Sequence, residues 1–390
     1  MTHSTAHSAP LAGIRVLDLS RVLAGPFCGM LLADLGAEVI KVESPWGDDS
    51  RQFGPFVDGT SAYYRLFNRS KKGITLDFKK DEDKEVLREL VRRADVVVEN
   101  FRPGVLEKLG LGPATLLELN PNLVVTSISG FGQTGTMAKE PAYDLVAQAM
   151  SGLMSITGWP SGKPTRVGIS LGDLIPGLYA ALGTVSALYQ RNNTGKGQHI
   201  DLAMYDSLIS VMESVGMRAL YDDTPPTRIG NDHGLSAPFS TYATKDGDVV
   251  IAITTNRLFE RLAAALGMPE LATDYRFAEP LDRSENRVAL RELIEEALST
   301  KTMDETIALF GEHGVPTARV YELDDALASP LATERGVVVE ESDGFRTLAS
   351  PLKLEGMGLP HPAPSLGANN DEIDSWLSED PRTRLEDRDE

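Results

Sequence analysis

The sequence predicts an α/β protein whose larger part is a Rossmann-like parallel sheet covered by helices on both faces. Three observations lead there. Short apolar, β-rich runs alternate with helical patterns from the N-terminus to about Tyr205, as in a parallel sheet covered on both faces. A chain of 390 residues exceeds what one simple core needs, so two domains are expected. The pattern then changes after Tyr221, where strands and helices stop alternating regularly.

Taken in order, Met1–Pro10 is small and polar and reads as a flexible tail rather than a signal peptide. Ile14–Leu19 is a strand, Ala24–Leu35 a helix and Ala37–Val42 a strand. Val86–Arg93 continues a helix, and Ala94–Val98 and Asn122–Ile128 are strands. The apolar stretch 174–190 contains Pro176, Gly177 and Gly183 and reads as a buried helix, not a membrane span. Asp222–Thr227, with its two prolines, is a linker. Beyond it, Ser240–Thr244 and Val249–Ile253 form a hairpin around Lys245–Asp248. Helices over about 256–266, 284–299 and 303–313 precede the strand Pro316–Tyr321. The expected domains are 10–221 (large), 228–325 (small, α+β) and 326–370, a return segment packing on the large domain. Residues 371–390 hold nine acids against three arginines and read as a solvated acidic tail.

Composition excludes several classes. Hydrophobic and charged fractions of 42% and 24% are those of a globular protein, not of a disordered or fibrous one. Cys28 is the one cysteine, so neither an intrachain disulfide nor a CxxC zinc site is possible. A cytoplasmic setting and no structural metal are expected. Acids outnumber bases 57 to 38, a net charge of -19, which disfavours nucleic acid and anionic membrane as partners. A local basic pocket for one phosphorylated ligand is still allowed.

Two familiar strings carry less than they suggest. Gly130-Phe-Gly132-Gln-Thr-Gly135 spells GxGxxG after a strand, but Pro141 would disrupt a helix opened by those glycines. A glycine turn shaping a cleft wall is the better reading. Gly168-Ile-Ser170-Leu-Gly172 spells GxSxG, but a polar loop precedes it where a nucleophile elbow needs a strand. The candidate base His313 sits in a helix C-terminal turn, where a structural histidine is expected. Asp173 is different. It lies at the start of the 174–190 helix, where free N–H groups and the macrodipole favour a carboxylate, either as an N-cap or as a reactive group.

Read together, the segments resemble class III CoA-transferases, the formyl-CoA transferase/carnitine CoA-transferase family with its α-methylacyl-CoA racemase relatives. The resemblance rests on Leu11–Ser20, Ala24-Gly-Pro26, Leu35–Glu43, Asn68–Asp77, Asp95–Gly104, Leu119-Asn-Pro121, Ser129–Gly135, Tyr143-Asp144, Gly172-Asp173 and Thr194–Asp201. It spans about residues 10–365. It implies that Asp173 is the catalytic carboxylate, attacking an acyl-CoA thioester and passing through an aspartyl-CoA thioester. Backbone N–H groups near Asp173 and in a glycine turn would meet the developing oxyanion. By family position, Leu76, Lys79, Asn100, Phe101 and Lys108 would bind CoA, with Arg69, Lys71 and Lys72 as further charge.

Tyr143 stands where racemase relatives carry a histidine, and a phenol is a poor base at neutral pH, so transfer is favoured over racemisation. Tyr143 is otherwise a helix-start aromatic in the core. Asp144 is either an N-cap or an acid that orients the site. Leu23 departs from formyl-CoA transferase, which has a glutamine there, and argues against an oxalate/formate pair. The resemblance therefore implies CoA transfer between carboxylic acids of the succinyl-CoA or dicarboxylate kind. The alternatives are intramolecular transfer between the carboxyls of one dicarboxylate, as in a mesaconyl-CoA type enzyme, and acyl-CoA racemase or epimerase activity. Coenzyme A enters as substrate, with no permanently bound cofactor. The large domain would be built from both chain ends with the small domain inserted. Two ring-shaped subunits would interlock as a homodimer, with each site between one subunit's large domain and its partner's small domain.

Overall fold

The computed structural model describes residues 8–379; the last part of the acidic stretch, from Asp380, lies outside the described residues. The chain divides into two compact units. One takes the residues up to Leu153, Arg166–Met212 and the segment from Pro330 onward; the other takes Met154–Thr165 and Glu213–Ser329.

The first unit is built on six strands: β1 (Arg15–Asp18), β2 (Glu38–Glu43), β3 (Lys71–Thr75), β4 (Val96–Glu99), β5 (Val124–Ser129) and β6 (Gln198–Ala203). Their order is β3-β2-β1-β4-β5-β6, and every neighbouring pair is parallel. The flanking helices include α1 (Ala24–Asp34), α2 (Asp81–Arg92), α3 (Pro113–Leu119), α4 (Asp144–Met150) and α5 (Leu171–Thr194). Alternate strand residues feed two cores. Val16, Val39, Val96 and Val124 pack with residues of α1 and α5, while Leu17, Ile40, Val97 and Val125 pack with residues of α2 and α3. That is why β1, β2, β4 and β5 are apolar on both faces at these positions. Lys71–Thr75 carries two lysines and a glycine and does not read as a strand; its pairing with β2 makes it one.

α5 is long and apolar enough to cross a membrane by length and composition. Its inner face nevertheless belongs to the core, where Ala180, Ala181, Ala187 and Leu188 are buried. Polypeptide leaving β1 turns to one face of the sheet and polypeptide leaving β4 to the other. A crevice therefore opens at the carboxyl ends of these two neighbours, where a doubly wound sheet places its ligand.

The acidic segment departs from its expected solvated form at its start. Residues 373–378 are a short helix whose Trp376 is 3% exposed in the α2/α3 core. Glu372 pairs with Lys72 at 2.7 Å and Glu379 with Arg15 at 2.8 Å. Acidic composition signalled solvation, but one buried indole and two ion pairs dock the segment.

The second unit has a three-stranded antiparallel sheet of Phe239–Ala243, Asp248–Ala252 and Thr317–Arg319, with the second strand central. Helices at Asn256–Ala265, Arg287–Leu298 and Met303–Glu312 supply Phe259, Leu262, Ile294 and Phe310 to its core. His313 caps the last of these helices and its Nδ1 bonds the Leu309 carbonyl at 2.9 Å, a structural histidine as expected.

Truncating the docked indole tests the tail's contribution. Trp376→Ala is expected to destabilise the first unit by about 3–5 kcal/mol, read as a lower urea midpoint by circular dichroism.

Candidate active site

The crevice is organised by a buried ionic network. Lys71 Nζ lies 2.7 Å from Asp18, and Lys41 Nζ lies 2.9 Å from Asp48, all four side chains being at most 1% exposed. Lys71 also donates to the Pro26 carbonyl and Asn68, and Lys41 to the Ser20 carbonyl. Burial pushes Lys71 down to about 8, partly offset by Asp18. For Asp48, burial is outweighed by Lys41 and by the Ser50 hydrogen bonds, which hold its carboxyl at about 2. These charges stay paired because an unpaired one at this depth would be strongly destabilising.

The network fixes the loop between β1 and α1. Ser20 N–H donates to Asp18, and Val22 N–H is shared by both Asp48 oxygens at 3.2 Å each. Val22 has φ +67°, a left-handed conformation that a β-branched residue adopts only when held there. Leu23 follows as the N-cap of α1 with no side-chain capping bond.

Asp173 is the third residue of α5, whose N-cap is Ser170; it is not itself the cap. The cap comes from another helix. Asp144, the first residue of α4, accepts the Gly172 N–H at 2.8 Å and the Gln148 amide at 2.8 Å. A Cβ on Gly172 would lie 2.9 Å from the Asp144 carbonyl oxygen, so the glycine before Asp173 is what lets the two helix starts approach. Arg166 stands 3.7 Å from the other Asp144 oxygen. Burial raises the Asp173 carboxyl to about 7, and the Asp144 carboxylate adds to the rise.

A cleft of about 560 Å³ brings together Val22, Leu23, Asn100, Phe101, Tyr143 and Asp173. Tyr143 is 69% exposed at the start of α4, not a core aromatic. A second cleft of about 330 Å³ is lined by Arg21, Trp46, Asp48, Leu76, Lys79 and Phe101. The Lys79 ammonium lies 5.3 Å from the centre of the Trp46 ring. Arg21 and Phe101 border both spaces. Lys108, exposed at the end of a short helix, lines neither.

Arg69, Lys71 and Lys72 are not free for a ligand's phosphates. Arg69 pairs with Asp34 at 2.6 Å, Lys71 with Asp18, and Lys72 with Glu38 and Glu372. Their cluster in sequence hid four separate partners. The structure adds Arg21, Trp46 and Asp48 to the cleft walls, and no spacing rule marks these in the sequence. Gly130 and Gly132 form a turn after β5; Gly130 lines the Asp173 cleft, and the Gln133 N–H bonds Asp201. No helix opens there before α4, and no strand precedes Ser170.

The chain is similar to known proteins over nearly its whole length. The profile of CoA-transferase family III matches residues 11–370. An acetyl-CoA:oxalate CoA-transferase of Acetobacter aceti is 42% identical over 91% of this chain and 92% of its own length. A succinyl-CoA:mesaconate CoA-transferase of Haloarcula hispanica is 43% identical over 88% of this chain and 90% of its own. The crystal structure of a CAIB/BAIF family protein from Brucella suis superposes with TM-score 0.84 at 40% identity, covering 95% of this chain and 100% of that one.

The electrostatics predict a titration. Carboxyl 13C NMR should show Asp173 titrating near pH 7, and Asp144→Asn should lower that value by removing the neighbouring charge while keeping an acceptor for Gly172. A folded pKa above the ordinary carboxylate value makes ionised Asp173 destabilising, with the penalty growing from about pH 4 and complete above pH 7. Asp173→Asn should therefore raise Tm at pH 8 and leave it unchanged at pH 4, by calorimetry.

Proposed function

The chain belongs to CoA-transferase family III, and on that premise we propose that it moves CoA from an acyl-CoA thioester to a carboxylic acid through a thioester on Asp173, with succinyl-CoA as donor and a dicarboxylate as acceptor. The observation that carries this reading is a carboxyl with a raised pKa at a helix start, facing a cleft beside a held backbone loop. A carboxylate of higher pKa is a stronger nucleophile once ionised, and at neutral pH half of Asp173 is available.

In the proposed sequence, Asp173 Oδ attacks the donor's thioester carbon. The C–S bond breaks to leave a mixed anhydride and CoA thiolate. The thiolate attacks the aspartyl carbonyl and releases the donor acid, making aspartyl-CoA. The acceptor carboxylate attacks that thioester, forming a second anhydride and freeing the thiolate again. Attack of the thiolate on the acceptor's carbonyl yields the new acyl-CoA and restores the Asp173 carboxylate. No net proton or electron is consumed.

Lys79, Trp46 and Arg21 are the groups we assign to the nucleotide end of CoA, with Leu76 and Phe101 against its apolar parts. Tyr143 and Leu23 are assigned to the acyl end, beside Asp173. Oxalate belongs in the acceptor panel despite Leu23, because a relative 42% identical carries that activity in its name. The interlocked homodimer and a cytoplasmic setting belong to the same proposal. In support of the dimer, α5 exposes Leu178, Leu182 and Tyr189 at 47%, 61% and 74%.

Incubation with succinyl-CoA and a panel of mono- and dicarboxylic acids, read by mass spectrometry, is expected to show new CoA thioesters. Hydroxylamine should trap a hydroxamate at Asp173, and Asp173→Ala should lose at least about 1000-fold in rate. Below pH 7 the rate should fall about tenfold per unit as Asp173 protonates. Normal transfer by Asp173→Ala contradicts the mechanism. Solvent deuterium entering the α-carbon without any acceptor acid would indicate racemisation instead. Sedimentation should give twice the 42.2 kDa chain mass.

A further inference from the structure

The segment from Leu19 to Val22 separates the two clefts, and each of its N–H groups is held from outside it. Leu19 donates to the Val98 carbonyl at 2.8 Å, Ser20 to Asp18, and Val22 to Asp48. The Arg21 backbone is held by Asn100, apart from the side chain's pairing with Asp49. Its N–H donates to Asn100 Oδ1 at 2.9 Å, and its carbonyl accepts from Asn100 Nδ2 at 2.9 Å. The two bonds close a ring between one side-chain amide and one residue's backbone. Asn100 stands just past the end of β4 and Arg21 just past the end of β1, so the ring bridges the crevice where the sheet's winding reverses.

An amide committed in this way has one acceptor and one donor hydrogen already engaged. The second N–H and the second oxygen lone pair stay available, so a contact from the amide to CoA would add to its hold on the Arg21 backbone without replacing it. Meanwhile Val22 sits in a left-handed conformation that a β-branched residue keeps only where neighbours over-determine it. Asp48 holds Val22 on one side and Asn100 holds the residue before it. Leu23 and Ala24 follow directly and line the Asp173 cleft.

We infer that Asn100 is a positioning residue: through its paired bonds to the Arg21 backbone it keeps Val22 left-handed and so sets Leu23 and Ala24 against Asp173. Its effect on transfer rests on the reading of Asp173 proposed above; its effect on the loop does not. Asn100→Ala removes both bonds. Asn100→Asp keeps an acceptor for the Arg21 N–H but cannot donate to the Arg21 carbonyl while ionised.

Hydrogen–deuterium exchange of the free full-length protein tests the loop directly. In peptides covering Leu19–Gly25, Asn100→Ala is expected to speed exchange by about tenfold and Asn100→Asp by less, with the Tm of each variant measured alongside. In transfer assays Asn100→Ala should lower kcat by about 10–100-fold, while the Kd of free CoA, read from tryptophan fluorescence, changes less than about threefold. Unchanged exchange in the loop in both variants overturns the inference. So does a Kd for CoA weakened tenfold with kcat intact, since that is the behaviour of a direct ligand. If the wild-type protein transfers CoA to no acid in the panel, the functional reading fails, and the exchange measurement still decides the role of Asn100.

Discussion

The crevice depends on two buried lysines, Lys71 opening β3 and Lys41 within β2, meeting two buried carboxylates, Asp18 at the end of β1 and Asp48 beyond the end of β2. Lys71 with Asp18, and Lys41 with Asp48, neutralise each other at side-chain exposures of 0–1%. Each also reaches the backbone: Lys41 donates to the Ser20 carbonyl, Lys71 to the Pro26 carbonyl, and Asp48 accepts from the Val22 N–H. A buried ion pair is a doubtful source of net stability, because desolvation offsets attraction. Here its consequence is geometric. A loop with a left-handed valine is held in one conformation next to the carboxyl proposed to carry the acyl and CoA groups.

The second constraint is the meeting of two helix starts. Asp144 reaches from α4 to cap α5 at Gly172, which leaves the Asp173 side chain free to face the cleft instead of capping its own helix. The same contact places one carboxylate near another, so the helix that favours an anion at its N-terminus also carries a neighbour that disfavours it. With burial as the larger cause and Asp144 adding to it, the carboxyl is held near neutrality. Had Asp173 been its own helix's cap, hydrogen bonds would have held it low and blunted it as a nucleophile.

The charge distribution follows a similar logic. A chain of net charge -19 contains cations in the clefts, but most basic side chains near the sheet are already matched. Arg69, Lys71, Lys72 and Arg15 serve the fold. Lys79 and Arg21 border the second cleft, and Arg21 also pairs with the exposed Asp49 at 2.8 Å. Such surface pairs are weak in water, so a phosphate can compete for Arg21 at little cost.

Much of this was legible in the sequence, for local reasons. Uniformly apolar runs such as Val96–Val98 can only be strands covered on both faces, and the pattern break after Tyr221 marks a second unit. Gly172-Asp173 before an apolar helix announced a carboxylate at a helix start, and the ordered motifs identified the family. Other features depend on partners far away in sequence. Lys71–Thr75 is a strand only because β2 offers it an edge, and the acidic end docks only because a core pocket accepts Trp376. Asp144 reads in the sequence as an N-cap or an orienting acid and Asn100 as a CoA contact; that Asp144 caps a helix other than its own, and that Asn100 bonds the Arg21 backbone, depends on partners 28 and 79 positions away. Sequence by itself determined which segments are strands and helices and which carboxyl stands at a helix start, because those follow from periodicity and neighbours. Tertiary structure alone decided which charges are spent on the fold and which face the cleft, because pairing is a property of distance in space.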